Sequence, residues 1–163
     1  MATKIGIISD THGLLRPEVT AVLQECGCII HGGDINKPEI IEELKAIAPL
    51  YVVRGNNDKE WAEHLPAYLT FQIEDLNFYL VHNKKDIAKS PEALAGIDVV
   101  IYGHSHKYAE EIKDGRLWLN PGSCGRRRFD QEITFAVMEV DGKETKVKKI
   151  TIVPETAGKN GAR

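Results

Sequence analysis

Short, wholly apolar runs that stop abruptly at Gly, Asp, Asn or His recur through the chain, and they restrict its fold more than any other feature. Ile5 to Ser9 stops at Asp10, Cys28 to His31 at Gly32-Gly33-Asp34, and Leu50 to Val53 at Arg54-Gly55-Asn56. Runs of this length without polar alternation read as strands buried on both faces. Between them lie segments with apolar residues at helical spacing. Leu14 to Glu25 sets Leu15, Val19, Val22 and Leu23 on one side and is stopped by Gly27. Pro38 to Ala46 sets Ile40, Ile41 and Leu44 on one side, with Pro38 in its first turn. Strand, helix, strand, helix, strand predicts a parallel sheet built by right-handed crossovers.

The second half changes character. Tyr68 to Ile73 and Leu76 to His82 flank Glu74-Asp75 as a hairpin would, and Asp98 to Tyr102 is another apolar strand. Asp114-Gly115 splits Ala109–Lys113 from Arg116–Leu119, and Asp141-Gly142 splits Ile133–Val140 from Thr145–Val153. Both dipeptides are strong two-residue hairpin signals. A pair of packed sheets with helices outside fits the whole pattern. At 163 residues the chain has room for one domain, expected over 1–154, with the small, polar tail 155–163 expected to be disordered.

The formal net charge of -3 gives no global pull toward nucleic acid or an anionic membrane. Arg126-Arg127-Arg128 is the local exception, and its plainer reading is a solvated surface turn. Cys26, Cys28 and Cys124 are odd in number and contain no Cys-x-x-Cys, so they read as small buried thiols in a reducing compartment. The first ten residues reach Asp10 too soon to be a signal peptide, and no stretch has the length of a membrane span. A cytoplasmic protein is expected.

The strand ends carry the chemistry. The first strand runs into Asp10-Thr-His12, the second into Gly33-Asp34 and the third into Gly55-Asn56-Asn57-Asp58. The hairpin strand ends at His82-Asn83, and the next at Gly103-His104-Ser-His106. In an open α/β sheet, ligands collect at the carboxyl edge of the strands. Carboxylate, imidazole and amide oxygen together suit a mid-series divalent ion. The set is too rich in nitrogen for magnesium or calcium and too large for one tetrahedral zinc. Two ions about 3.5–4 Å apart would use all of it, hold a bridging water and clamp a phosphoryl group for in-line attack. Taken singly, each residue has a plainer reading. Asp10 and Asp34 could cap helices, His12 and His82 could be satisfied polar residues, Asn56 could be a turn residue, and His104 and His106 could share a strand face or sit in a loop.

Asp10-x-His12, Gly33-Asp34, Gly55-Asn56-x-Asp58, His82 and Gly103-His104-x-His106, in that order, resemble the calcineurin-like metallophosphoesterase superfamily. With Asn120-Pro-Gly-Ser123 near its end, the chain is similar to the small YfcE-like phosphodiesterases of that superfamily. The resemblance runs from Ile5 to about Val153 and implies a four-layer α/β/β/α sandwich. It implies that Asp10, His12 and His106 hold one divalent ion, that Asn56, His82 and His104 hold a second, and that Asp34 bridges them. Manganese is the first expectation for both, with nickel, iron, cobalt or zinc as alternatives. The implied activity is hydrolysis of a small phosphodiester through a hydroxide shared by the two ions, with Asp34, Asn56 and Asn57 at the reacting centre. A non-catalytic scaffold subunit of the same fold, a phosphomonoesterase and a nuclease are the alternatives. Neither a membrane nor a specific nucleic acid is an expected partner, and relatives of this kind form dimers or tetramers.

The chain departs from the superfamily pattern in places. Asn57 stands where many members carry a His that protonates the leaving group, and an amide cannot do that near neutral pH. Activated aryl diesters are therefore the expected substrates, unless Asn57 only shapes its turn. Lys84 follows His82-Asn83 where a second His is usual, so it could face phosphate or simply be solvated. Ser123 and Arg128 are candidate contacts to a phosphate oxygen. Asp58 is expected to cap a short helix through Trp61.

Overall fold

The computed structural model describes residues 2–127 and 131–153. Arg128 and the tail 155–163 lie outside the described residues. Among the described residues, ten strands form two five-stranded sheets. The first half supplies β1 (Thr3–Ile8), α1 (Pro17–Leu23), β2 (Cys28–His31), α2 (Pro38–Ile47) and β3 (Leu50–Val52). The strands β1, β2 and β3 are parallel neighbours, as the alternation of strand and helix predicts. The helix α1 starts later than its periodicity suggests. Pro17 occupies its first turn and Arg16 stays extended (φ -73°, ψ 143°), because a residue before proline is driven out of the helical region.

The second half supplies β4 (Tyr68–Ile73), β5 (Leu76–Val81), β6 (Val99–Ile101), β7 (Ala109–Lys113), β8 (Arg116–Asn120), β9 (Ile133–Asp141) and β10 (Glu144–Ile152). The hairpin β7–β8 closes through Asp114-Gly115, both left-handed (φ 54° and 74°) as a type I′ turn requires. The last hairpin turns one residue later than expected. Asp141 still pairs with Glu144, so the loop is Gly142-Lys143, and Gly142 supplies the positive φ of 64°. Only β9 and β10 of this half join the first sheet, whose order is β10-β9-β1-β2-β3. The rest build the second sheet, β4-β5-β6-β8-β7.

Side chains on β9 show the layering. Ile133, Phe135 and Val137 face the helices, alongside Leu23, Leu44 and Ile29. Ala136, Met138 and Val140 face the other sheet, alongside Ile5, Ile7, Phe78, Leu80 and Leu119. The outer face of the second sheet carries Tyr79, Val81, Val100 and Tyr102. Its cover is the segment 83–97, which among the described residues contributes only the 3-10 turns Lys84–Asp86 and Pro91–Leu94. Among the described residues the four layers are therefore unequal, with α-helices on one side alone. All three cysteines are buried and free. Burial pushes the Cys28 thiol up to about 11 and that of Cys124 up to about 12, which makes both inert.

The helix α1 lies so close to the first sheet that a β-carbon on Gly6 would run into the Leu23 side chain. Leu23 is fully buried and has little room to yield. Gly6→Ala is expected to destabilise the fold by about 1–3 kcal/mol through overpacking, measured by urea unfolding.

Candidate metal centre

Beyond the ends of β1 and β2 the backbone ladder continues into the loops. Asp10 N–H donates to Gly33 O (3.0 Å), His12 N–H to Asp34 O (2.9 Å) and Gly13 N–H to Ile35 O (2.8 Å). The two loops are thus held as one rigid rim. Gly103 N–H donates to His82 O (2.9 Å), which ties the corresponding loops of the second sheet together. The rim is strained. Asp10 (φ 55°), His12 (46°), Asp34 (60°), Asn36 (70°), His104 (76°) and His106 (64°) all adopt the left-handed region. Such backbone persists where its surroundings over-determine it, and it clusters at functional sites.

The rim gathers every side chain that the sequence proposes as a metal ligand. His12 Nε2 is 3.2 Å from His106 Nε2, and His106 Nε2 is 3.3 Å from Asp10 Oδ1. On the other side, His82 Nε2 is 3.2 Å from Asp34 Oδ2. His104 Nδ1 is 3.3 Å from His82 Nε2 and 3.2 Å from Asn56 Oδ1. Asp34 Oδ2 lies between the groups, 3.7 Å from His12 Nε2. Donors bound to one ion at about 2.1 Å sit about 3.0–3.4 Å apart at the angles of common coordination geometries. Most of these spacings fall in that range. His104 and His106 sit in a loop rather than on a strand, which settles the alternatives left by the sequence.

Three further observations show that the donor set suits a cation. Asp10 Oδ2 accepts from Ser9 Oγ (2.7 Å) and from His104 N–H (3.1 Å), yet its other oxygen, Oδ1, is buried without a hydrogen-bond partner among the described residues. A buried carboxylate oxygen left this way is costly unless positive charge faces it. His82 Nδ1 donates to Gly32 O (2.8 Å), which fixes its tautomer and turns the Nε2 lone pair into the site. Two sets of three residues, Asp10-His12-His106 and Asp10-Asp34-His82, bring their ligand atoms within 4.8 Å of one another.

The electrostatics agree. Burial alone would raise the pKa of Asp10, but the nearby His106, His12 and His82 and the Ser9 hydroxyl hold it well below the usual carboxylate range. Burial likewise opposes ionisation of Asp34, and His82 and the Asn57 N–H overcome it. For His82, burial is outweighed by the carboxylates of Asp34 and Asp10, so its pKa rises. His31 is different. Fully buried, it donates from Nε2 to Thr11 Oγ1 (3.0 Å) and accepts at Nδ1 from Gly33 N–H (3.0 Å), and burial pushes its pKa down to about 4. It is a neutral strut between the two loops of the first sheet.

Other proposed site residues do different work from that expected. Asn57 donates its N–H to Asp34 Oδ1 (2.8 Å) and its side-chain amide to Asp34 Oδ2 (3.4 Å), so it orients that carboxylate. The hydroxyl of Ser123 is buried and donates to Asp10 O (2.8 Å), so it supports the rim from below rather than reaching a substrate. Asn120 in the same turn donates to Gly103 O and Ser105 Oγ, both at 3.1 Å. Arg126 reaches the rim by donating from Nε to His12 O (3.3 Å). Asp58 does not cap the short helix Glu60–Ala62, whose cap position is Lys59. Its carboxylate instead accepts from the N–H groups of Asp34 (3.0 Å), Ile35 (2.9 Å), Asn36 (2.8 Å) and Gly55 (2.9 Å). The three contacts to residues 34–36 cross between loops far apart in sequence, so local capping rules could not expose them. The carboxylate in Gly-Asn-Asn-Asp was the only hint.

Asp58→Asn keeps one acceptor oxygen but turns an N–H₂ group toward backbone donors. It is expected to cost about 2–4 kcal/mol in denaturant unfolding and to lower the metal bound per chain in elemental analysis.

Residues 3–143 match the calcineurin-like phosphoesterase superfamily domain. A probable metallophosphoesterase of Methanothermobacter thermautotrophicus is 34% identical over 152 residues, covering 86% of this chain and 87% of that protein. The phosphodiesterase YfcE of Escherichia coli is 26% identical over 163 residues, covering 85% and 88%. Among solved structures, one described as a novel archaeal phosphodiesterase superposes with a TM-score of 0.76 at 27% identity, over 91% of this chain and 99% of the other. With its two packed mixed sheets and its rim of Asp, Asn and His, the chain belongs to the calcineurin-like phosphoesterase superfamily.

Proposed function

We propose that the protein is a phosphodiesterase working with two divalent ions, manganese in the first instance. In this reading Asp10, His12 and His106 hold one ion, Asn56, His82 and His104 hold the other, and Asp34 is shared. The observation that carries it is the buried, partnerless Asp10 Oδ1 beside a ring of imidazole nitrogens, with Asp34 Oδ2 standing between two such groups. Bound there, such ions would supply Lewis acidity to phosphoryl oxygens and a water made nucleophilic near neutral pH. The similarity to YfcE and to an archaeal phosphodiesterase supports a diester as the substrate class.

The chain's own residues divide the remaining work. Asn56 and His104 are the exposed members of the set, so the phosphoryl group approaches from their side. With its Oδ1 directed at His104, the Asn56 amide can turn its N–H₂ toward a phosphoryl oxygen and stabilise charge that develops there. A cavity of about 200 Å³ opens beside Asn56 and His82, lined by Arg54, Ala67, Asn83 and Asp86, and would receive one ester group. Asn57 holds Asp34 with both of its donors and cannot protonate a leaving group. The leaving oxygen must then depart as a stable anion, which favours aryl and other activated esters. No helix among the described residues is long and apolar enough to cross a membrane. Free, buried thiols fit our placement of the protein in the cytoplasm.

A chelator is expected to abolish hydrolysis of a bis-aryl phosphate, and manganese to restore it; chelator-insensitive turnover would exclude the metal reading. Asn56→Ala should lower kcat by on the order of 10²–10³ and weaken the binding of one ion of the two, read from metal bound per chain in elemental analysis. Asn57→His should raise monoester turnover relative to diester turnover, measured on matched aryl substrates. An unchanged ratio would show that the missing acid does not set the preference.

Metal affinity should fall as pH is lowered. The proton held by His82 has a raised pKa and must leave before Nε2 can bind, so acid competes with metal. Titration calorimetry with manganese at several pH values checks the sign.

A further inference from the structure

The outer face of the second sheet carries a groove that the metal centre does not use. It holds about 440 Å³ and runs between the segment 84–94 and the hairpin β7–β8. Five cationic side chains line it, Lys84, Lys85, Lys89, Lys113 and Arg116, against the single acidic residue Asp114. Among the described residues none of the five is ion-paired with a carboxylate; the one Lys–carboxylate pair described is Lys149 with Glu132. Cations gathered without counter-charge repel one another, and an anion relieves that repulsion.

The floor of the groove is built rather than incidental. Lys113 Nζ lies 5.6 Å from the centre of the Trp118 ring, and Lys84 Nζ lies 5.1 Å from that of Tyr102. The rings hold these long side chains in place by cation–π attraction and so reduce the entropy lost when a ligand binds. Arg116 is pinned by donating from Nε to Ile97 O (3.0 Å) and from Nη2 to Leu94 O (2.7 Å), which fixes the covering segment to β8. Trp118 Nε1 is buried and finds no acceptor among the described residues. Trp118 lines the groove, so its indole N–H is a local reporter of an occupant.

We propose that this groove binds a di- or triphosphate group, carried by a nucleoside or present as inorganic polyphosphate. Its volume suits a ligand of nucleotide size, and its charge suits several phosphate oxygens. Lys84 and Lys85 follow His82 by two and three residues, so an occupant would touch the segment that carries one of the rim imidazoles. The site itself does not depend on the phosphodiesterase reading, and its test needs no turnover.

The chain has two tryptophans, so the ¹⁵N spectrum of zinc-loaded protein should contain two indole N–H signals, and Trp118→Phe assigns them. ADP and tripolyphosphate, titrated at about 150 mM salt, are expected to shift the Trp118 signal and leave that of Trp61 in place, with a Kd below about 1 mM. Tighter binding of ADP would identify the nucleoside form, and equal binding the polyphosphate chain. Lys85→Glu with Lys113→Glu should weaken binding at least about tenfold. Lys45→Glu, on α2, reverses a charge remote from the groove and should leave binding unchanged. The proposal is overturned if neither probe moves the Trp118 signal up to about 10 mM, if both indole signals move together, if Lys45→Glu weakens binding as much, or if only a single-stranded oligonucleotide binds.

Discussion

Two carboxylates, Asp10 and Asp34, are buried close to one another and to four imidazoles, and the architecture is organised around making that tolerable. Like charges withdrawn from water raise each other's energy, and protons on neighbouring histidines or bound cations are the available remedies. The loops meet this demand with fixed donors. Asp10 is held by Ser9 and the His104 N–H, Asp34 by Asn57, and the Asp34 loop by three bonds to Asp58. The remaining lone pairs are left pointing at a common centre. This separates the carboxylate atoms that build the rim from those that can act.

The two-sheet architecture follows from where those residues must come from. Parallel strands end on one edge, so β1, β2 and β3 deliver Asp10, Asp34 and Asn56 from one sheet, while β5 and β6 deliver His82 and His104 from the other. The strands β9 and β10 add no candidate ligand. They complete the first sheet and give its core the bulk of Phe135 and Met138. The turn after β8 then reaches beneath the rim, where Asn120 and Ser123 tie the two halves of the site together. Close approach is needed there too. A β-carbon on Gly103 would stand 2.6 Å from Asp10 Oδ2, which leaves glycine as the residue that lets the second sheet's loop touch the first sheet's carboxylate.

Much of this was legible in the sequence, because the strand signal and the ligand signal coincide at each apolar run. The hairpins were legible for the same local reason, and the register of the last one slipped by a residue because Gly142 rather than Asp141 takes the left-handed turn position. What escaped were contacts that join distant segments through atoms common to every residue. The grip of Asp58 on backbone N–H groups of residues 34–36, the hydroxyl of Ser123 on Asp10 O and the neutral bridge made by His31 leave no periodicity behind. The basic groove was hidden for a related reason. Lys85 and Lys113 are far apart in the chain, and only the packing of the 83–97 segment over Trp118 unites them.

The left-handed backbone under Asp10, His12, Asp34, His104 and His106 limits how the centre can drift over evolutionary time. Asp, Asn and His tolerate that conformation better than most residues, while β-branched and bulky residues pay heavily for it. A change of donor type at these positions would therefore be charged twice, once in coordination and once in the main chain. Adaptation to a different ion is easier to achieve by altering the hydrogen-bonded supports around the donors than by exchanging the donors themselves.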